Sequence, residues 1–484
     1  MTDPDRAAGA VVGRAARRFR PGPDWPFVVL LVGFPLWWLL GLSELLVFVL
    51  VLPMAARLVR RRRVLVPPGF GWWLIFLGWM VAGFPMLFVD APAGVPGGGA
   101  GRIPVFGYRL VWYLACTVVL LWVGNLDERD LPSRRVVRLL GWLFVVTTAG
   151  GLLGVLAPHW QTTSLVEMLL PKGLASNEFV KSMAHPKAAD IQNVLGSASA
   201  RPTAPFAYAN SWGSNFALTL PFFVVGWMGP GAGWRRAAAP VVLVVSAVPV
   251  IYSLNRGLWI CLALGALVLA VQLALAGRAA VLVALGVTVL LGVGAVAVTP
   301  LGTMLSERLD HGHSNGRREQ LLIETVRSTL TGSPVVGFGS TRQVQGSFES
   351  IAGGSTPDCK ACGVPPLGTQ GHLWLVIFSQ GIGGLIAFLA FFGIQLARFW
   401  RSRTPLQGIG TMLLLFLVVQ LFVYDTLGWP ILTIMAGIGL MWRERWRATG
   451  ALAPDDGPVH AVAADPAGAA LPRPRVLPVG GRPR

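Results

Sequence analysis

Long apolar runs alternate along this chain with short polar turns. Read in order they cover 25–58, 69–89, 105–124, 139–156, 206–228, 238–252, 258–275, 279–299, 373–397, 406–424 and 429–442. Many approach the roughly 20 apolar residues that cross a bilayer as a helix, and a buried soluble helix rarely stays uncharged for so long. The first run is interrupted at Gly41-Leu42-Ser43-Glu44, which predicts two short helices in a hairpin. The pattern predicts an all-α, polytopic membrane protein with about 12 transmembrane helices. Two long polar intervals, 159–205 and 301–371, break the series.

Charge orients the series. Arginines cluster at 57–63, 129–138, 235–236, 398–403 and 443–447, with Arg278 alone between two runs. Positive residues are retained on the cytoplasmic side of a membrane. One orientation satisfies every cluster: both termini cytoplasmic and both long polar intervals outside, with a large extracytoplasmic loop between late helices. The expected organisation is a basic cytoplasmic segment over 1–24, a membrane domain over 25–445, and a disordered cytoplasmic tail over 446–484, rich in Ala, Pro and Gly. RAARRFR runs into apolar sequence without a small-residue cleavage site, so no cleavable signal peptide is expected.

Composition agrees with the pattern. The chain has 484 residues, of which 54% are hydrophobic and 13% charged. Soluble domains carry about 25% charged residues. The net charge of +18 lies in the loop clusters, which points to membrane orientation and not to nucleic acid.

Arginines at the outer ends of spans run against the charge rule and mark candidate chemistry. Arg201 opens RPTAPFAYANSWG, Arg256 sits in the tight turn SLNRGLW, and Arg317 and Arg318 precede a predicted amphipathic helix with Leu321, Leu322, Val326 and Leu330 at helical spacing. Converging guanidiniums bind phosphate oxygens bidentately. Taken singly, each could instead cap a helix, pair with a carboxylate or reach lipid headgroups. His372 stands at the first position of an apolar run, a place for proton transfer or for an ordinary interfacial hydrogen bond. DHGHSNGR holds His311 and His313, a weak metal signal with no second ligand cluster. In DCKAC, Cys359 and Cys362 suit a local disulfide better than half a zinc site; Cys116 and Cys261 lie in apolar runs as packing residues. No phosphate-binding loop, HExxH or nucleophile-elbow motif occurs in a suitable context.

Four stretches together resemble the O-antigen ligase and polymerase superfamily of bacterial envelope glycan assembly, over about residues 25–445. They are RPTAPFAYANSWGSNFALTLP, YSLNRGLW, NGRREQLLIETVRSTLTGSPVVGFGS and GHLWLVIFSQGIGGLIAF. The resemblance implies metal-independent, cofactor-free glycosyl transfer at the outer face of the cytoplasmic membrane. The donor would be an undecaprenyl-pyrophosphate-linked glycan and the acceptor a glycan or glycolipid, with flippase or chain-length proteins as partners. Arg201, Arg256 and Arg317 or Arg318 would hold the pyrophosphate, and His372 would assist the acceptor hydroxyl. Leu373 stands where the family commonly has Asn. Ligase and polymerase are not separated by these motifs. A polysaccharide or sugar transporter of similar span number is the alternative, and would call for internal repeats and broken helices with polar groups at midplane; a non-catalytic envelope scaffold is a third.

Overall fold

The computed structural model describes residues 22–171, 173, 178–193, 198–283, 286, 287, 294, 313–345, 365–400 and 404–448. Of the expected run over 279–299, residues 284, 285, 288–293 and 295–299 lie outside the described residues, as do residues 1–21 and 449–484. What is described is mostly helical: α1 (Trp25–Val32), α2 (Phe34–Leu39), α3 (Leu45–Val59), α4 (Phe70–Ala82), α5 (Ile103–Asn125), α6 (Ser133–Leu156), α7 (Leu165–Leu169), α8 (Glu178–Ala184), α9 (Ala209–Met228), α10 (Arg235–Tyr252), α11 (Arg256–Leu275), α12 (His313–Gly332), α13 (His372–Phe399), α14 (Pro405–Val423) and α15 (Trp429–Ala448). One antiparallel hairpin, β1 (Ala189–Asn193) and β2 (Ala198–Pro202), pairs Asp190 with Arg201.

Among the described residues, seven helices are long and apolar enough to cross a membrane. The first run is indeed divided. A break at Gly33 separates α1 from α2, with the Trp37 indole donating to the Val29 carbonyl at 2.9 Å, and α3 returns to pack on α1. α15 is apolar around its whole circumference through Met441 and is surrounded by α5, α9 and α14, which makes it the central helix. Aromatic contacts lock the neighbours: Trp73 of α4 meets Phe391 of α13 at 5.3 Å, and Phe144 of α6 meets Phe223 of α9 at 4.6 Å. By contrast α11 buries only 11% of its apolar window, and Leu267 and Val244 on α11 and α10 are exposed. Such a surface is stable against hydrocarbon and not against water.

Basic residues gather at one end of the bundle. Arg57 pairs with Asp130 at 2.9 Å and Arg447 with Asp127 at 3.0 Å. Arg443, 1% exposed, donates to the Leu126 and Leu131 carbonyls at 3.1 and 3.0 Å and to Ser133 Oγ at 2.6 Å. These contacts tie the ends of α3, α5 and α15 to the start of α6. Part of the arginine clustering is thus structural cross-linking, beyond its topological signal.

α13 is broken at Gly381, where φ is +63°. The turn 334–339 is laid into the break. Phe338 and Gly339 donate to the Phe378 and Ser379 carbonyls, and Ile382 and Gly383 donate to Pro334 and Val335, at 2.8–3.1 Å. A Cβ at Gly381 would come within 2.5 Å of Val335 backbone, and one at Gly337 within 2.5 Å of the Gly381 nitrogen. Both glycines are therefore required by close approach of two backbones as well as by positive φ. The motif PVVGFGS and the motif SQGIGG are two halves of one joint.

Candidate functional site

At the end of the bundle opposite the basic cross-links, three arginines and a histidine are brought to one place by β2, α11, α12 and α13. Arg201 is held first. It lies on β2 opposite Asp190, is 7% exposed, and donates from Nε to the Ser253 carbonyl at 2.8 Å and from Nη2 to Asn210 Oδ1 at 3.3 Å. One guanidinium therefore joins the hairpin, the start of α9 and the α10–α11 turn.

That turn is as tight as its sequence predicts. Asn255 caps α11, its side chain accepting from the Leu258 nitrogen at 3.4 Å, which leaves Arg256 as the first helical residue. The Asn255 oxygen also accepts the hydroxyl hydrogen of Tyr424, and its amide donates to the Ala209 carbonyl at 3.3 Å. Asn255 thus fixes Arg256 against both α9 and the end of α14.

Arg318 supplies the third guanidinium. Burial is the main cause that lowers its pKa; the Tyr424 hydroxyl opposes that and the nearby Arg256 charge adds to it. Its Nε has no hydrogen-bond partner among the described residues. Arg201 is likewise lowered to about 10, by burial first and by Arg318 among its neighbours. Arg318 adjoins both Arg201 and Arg256, and the Tyr424 phenol lies beside Arg201 and Arg318. An anion placed among them would favour their charged forms. Burial raises the Tyr424 phenol well above its ordinary value, so it stays a neutral donor. Of the two adjacent arginines in the sequence, Arg318 is the one whose side chain is described, and it faces the cluster.

His372 is the first residue of α13 and is wholly buried. Its backbone nitrogen donates to the Tyr424 carbonyl at 2.7 Å. Its Nδ1 lies 3.3 Å from Asp425 Oδ1, and its Nε2 lies 3.0 Å from the Tyr113 hydroxyl. An ionised carboxylate only accepts, so Nδ1 carries the proton and Nε2 accepts from Tyr113. Asp425 is itself half-exposed. Burial pushes its pKa up, but the hydrogen bond from His372 and the Arg109 guanidinium further off leave it net below the ordinary 3.8. Arg109, one turn before Tyr113 on α5, reaches Ser340 Oγ and Thr341 Oγ1 at 3.3 Å each. The order is therefore Tyr113, His372, Asp425, with the carboxylate at the open end.

The sequence singled out Arg201, Arg256, Arg318 and His372; the structure sets Tyr113, Tyr424, Asp425 and Arg109 beside them, which the sequence did not single out. Tyr424 and Asp425 end a span in YDTLGW, and a carboxylate at a span border carried the same signal as the arginines. Tyr113 is an aromatic within an apolar run, where no sequence feature distinguishes it from core. Arg317 belongs to α12, but its side chain lies outside the described set. Cys359 and Cys362, and His311, also lie outside the described residues; Cys116 and Cys261 are buried and free, as packing residues are. No protein-family profile matches the chain, and no curated protein is similar to it.

Proposed function

We propose that the chain is a metal-independent membrane glycosyltransferase of the O-antigen ligase and polymerase type. In this reading it has about twelve spans, and it transfers or polymerises an undecaprenyl-pyrophosphate-linked glycan at the outer face of the cytoplasmic membrane. One observation carries the reading. Tyr424 and Asp425, adjacent in the chain, hold three clustered arginines on one side and the buried His372 on the other. A trianionic leaving group and a proton acceptor are wanted at that spacing and in few other chemistries. The resemblance of the four sequence stretches points the same way.

In this mechanism the donor pyrophosphate sits among Arg201, Arg256 and Arg318, and the acceptor hydroxyl approaches Asp425. The acceptor proton passes to Asp425 as its oxygen attacks the anomeric carbon. The bond from that carbon to the pyrophosphate oxygen breaks, and undecaprenyl pyrophosphate leaves carrying the electron pair. The arginines stabilise the charge that develops there. His372, anchored by Tyr113, orients Asp425 and stabilises its charge, as a positioning residue.

The broken helix α13 is the observation that favours a transporter, because unwound helices expose backbone groups to cargo. Here the opened groups around Gly381 are taken by the backbone of 334–339, which leaves them no role in binding. The deciding assay uses proteoliposomes with a polyprenyl-pyrophosphate-linked oligosaccharide. Expected products are an extended or transferred glycan and free polyprenyl pyrophosphate; movement of intact lipid-linked glycan without bond cleavage would overturn the assignment.

Sidedness has its own check. With the native cysteines replaced, Glu319→Cys on α12 is expected to react with an impermeant maleimide in intact cells, and Arg129→Cys, in the α5–α6 loop, only after permeabilisation. Both positions are exposed. The reverse pattern would place the site in the cytoplasm.

A further inference from the structure

One carboxyl at the site end of the bundle plays no part in the arrangement around Asp425. Glu44 ends the interruption that divides the first apolar run, at the N-cap of α3, and its side chain makes no capping bond there. Its Oε2 accepts from the Tyr108 hydroxyl at 3.5 Å, longer than an ordinary O–H···O bond, and no cation faces it among the described residues. A half-buried carboxyl so poorly partnered is a cost to the fold.

α5 brings two adjacent ridges to this end. Arg109 and Tyr113, one turn apart, lie toward Asp425 and His372. Tyr108 and Trp112, the neighbouring pair, lie toward Glu44. Phe48, one turn after Glu44 on α3, packs on both, with ring centroids at 6.0 and 5.2 Å, and so fixes where the carboxyl sits. Trp112 is wholly buried. Its Nε1 neighbours the Tyr108 hydroxyl but completes no hydrogen bond among the described residues.

Gly428 closes the group. Its φ is +107°, and a Cβ there would meet Trp112 at 3.8 Å and Glu44 Oε2 at 3.9 Å, with nothing nearer. An acceptor and an unused donor therefore border a small space that no described side chain fills. Gly428 is three residues past Asp425, at most about 10 Å along the backbone. Tyr108 stands within electrostatic reach of both carboxylates.

We propose that Glu44 and Trp112 bind a second hydroxyl of the acceptor sugar, beside the one that Asp425 deprotonates. The inference rests on the glycosyl-transfer reading for the identity of the ligand. A hydroxyl satisfies both partners at once, donating to the carboxylate and accepting from the indole N–H. An ammonium or guanidinium would leave Trp112 unpaired, and an anion would be repelled by Glu44. Glu44 takes no proton in the reaction. It sets which face of the acceptor meets the donor, as a specificity-determining residue.

The test uses the full chain in proteoliposomes. The lipid-linked oligosaccharide is held saturating as donor, and the same oligosaccharide freed of its lipid is varied as acceptor. Glu44→Ala is expected to raise the acceptor KM about 10–100-fold, the loss of one hydrogen bond to a charged group, with kcat near the wild-type value. Glu44→Gln keeps the shape and one acceptor oxygen, so its KM should rise less. Its melting temperature should be no lower than that of the wild type, since a desolvated charge is removed. Among singly deoxygenated acceptors, one should lose the same factor with the wild type and nothing further with Glu44→Ala, because both changes remove a single interaction. An unchanged KM in both variants would make the space a water site and overturn the proposal. A fall in kcat at constant KM would also overturn it, by moving Glu44 into the proton path. Binding of the free oligosaccharide to the wild type in nanodiscs, weakened by Glu44→Ala but without any transfer, would uphold the subsite and remove the transferase reading. Transfer that Glu44→Ala leaves untouched would do the opposite.

Discussion

Arg318→Ala is expected to lower glycan transfer by about 10²–10³-fold, the usual loss when one preorganised charge stabiliser is removed from a developing oxyanion. Release of polyprenyl pyrophosphate in proteoliposomes measures it. The size of the effect follows from the position of Arg318 in the cluster. Arg201 has two of its nitrogens committed to Ser253 and Asn210, whereas Arg318 has an Nε without a protein partner among the described residues. Of the two, Arg318 has more of its donor capacity left for a ligand. Arg318→Lys should recover only part of the rate, because an ammonium restores charge but not the planar fork that grips two phosphate oxygens. Arg317→Ala provides the comparison, and the larger loss is expected at Arg318. Equal transfer by Arg318→Ala and wild type, at equal protein level, would dissolve the pyrophosphate site.

The same variant separates two physical roles. If the arginine cluster served only to hold the fold, losing one member would lower the melting temperature; if it is a ligand site, losing one relieves repulsion among neighbouring cations. Arg318→Ala should then raise the melting temperature slightly while activity falls. A site that trades stability for ligand binding behaves this way.

Much of this arrangement was legible in the sequence because membrane chains have few places for charge. The helices at 105–124, 139–156, 258–275 and 406–424 were marked by apolar length, and their observed bounds differ by only a few residues except at the start of α6, where six basic-loop residues extend the helix. Arg201 and Arg256 stood out as cations at the wrong end of their spans. Other features were hidden for definite reasons. α12 buries Leu321 with the hydroxyls of Thr325, Ser328 and Thr329 and exposes Ile323 and Leu330, because hydrophobic periodicity identifies a helix but not which of its faces meets lipid. α9 and α15 fall short of the seven long apolar helices because polar residues in one and terminal arginines in the other dilute them, although α15 is the most enclosed helix of all. Arg342 illustrates a different blindness. It resembles a site arginine in sequence, yet it is buried among the carbonyls of Met86, Leu87, Val89 and Phe338, where it ties two loops together. Sequence position gives the charge, and only the three-dimensional partners tell whether that charge is already satisfied.

Asp425→Asn should be the second severe variant, with transfer reduced by about 10²–10⁴-fold, the range for loss of a general base. The amide can neither take the acceptor proton nor dictate that His372 carries its hydrogen on Nδ1, so both the base and the order of the Tyr113–His372 bond are lost together. Stability gives an independent readout with a definite sign. The Asp425 carboxyl is depressed below 3.8, so its favourable interaction with His372 and Arg109 is fully present above that value and disappears as pH falls through the folded pKa. The melting-temperature gap between wild type and Asp425→Asn should therefore be flat above about pH 5 and should shrink as pH falls through the folded pKa, beneath which both side chains are neutral. His372→Ala is expected to lower kcat more than it raises KM, since a wholly buried ring acts on the reacting proton through Asp425 and has no contact with the bound glycan. Retention of a normal kcat by His372→Ala, with only KM increased, would mean that the histidine touches substrate directly and that Asp425 merely supports it.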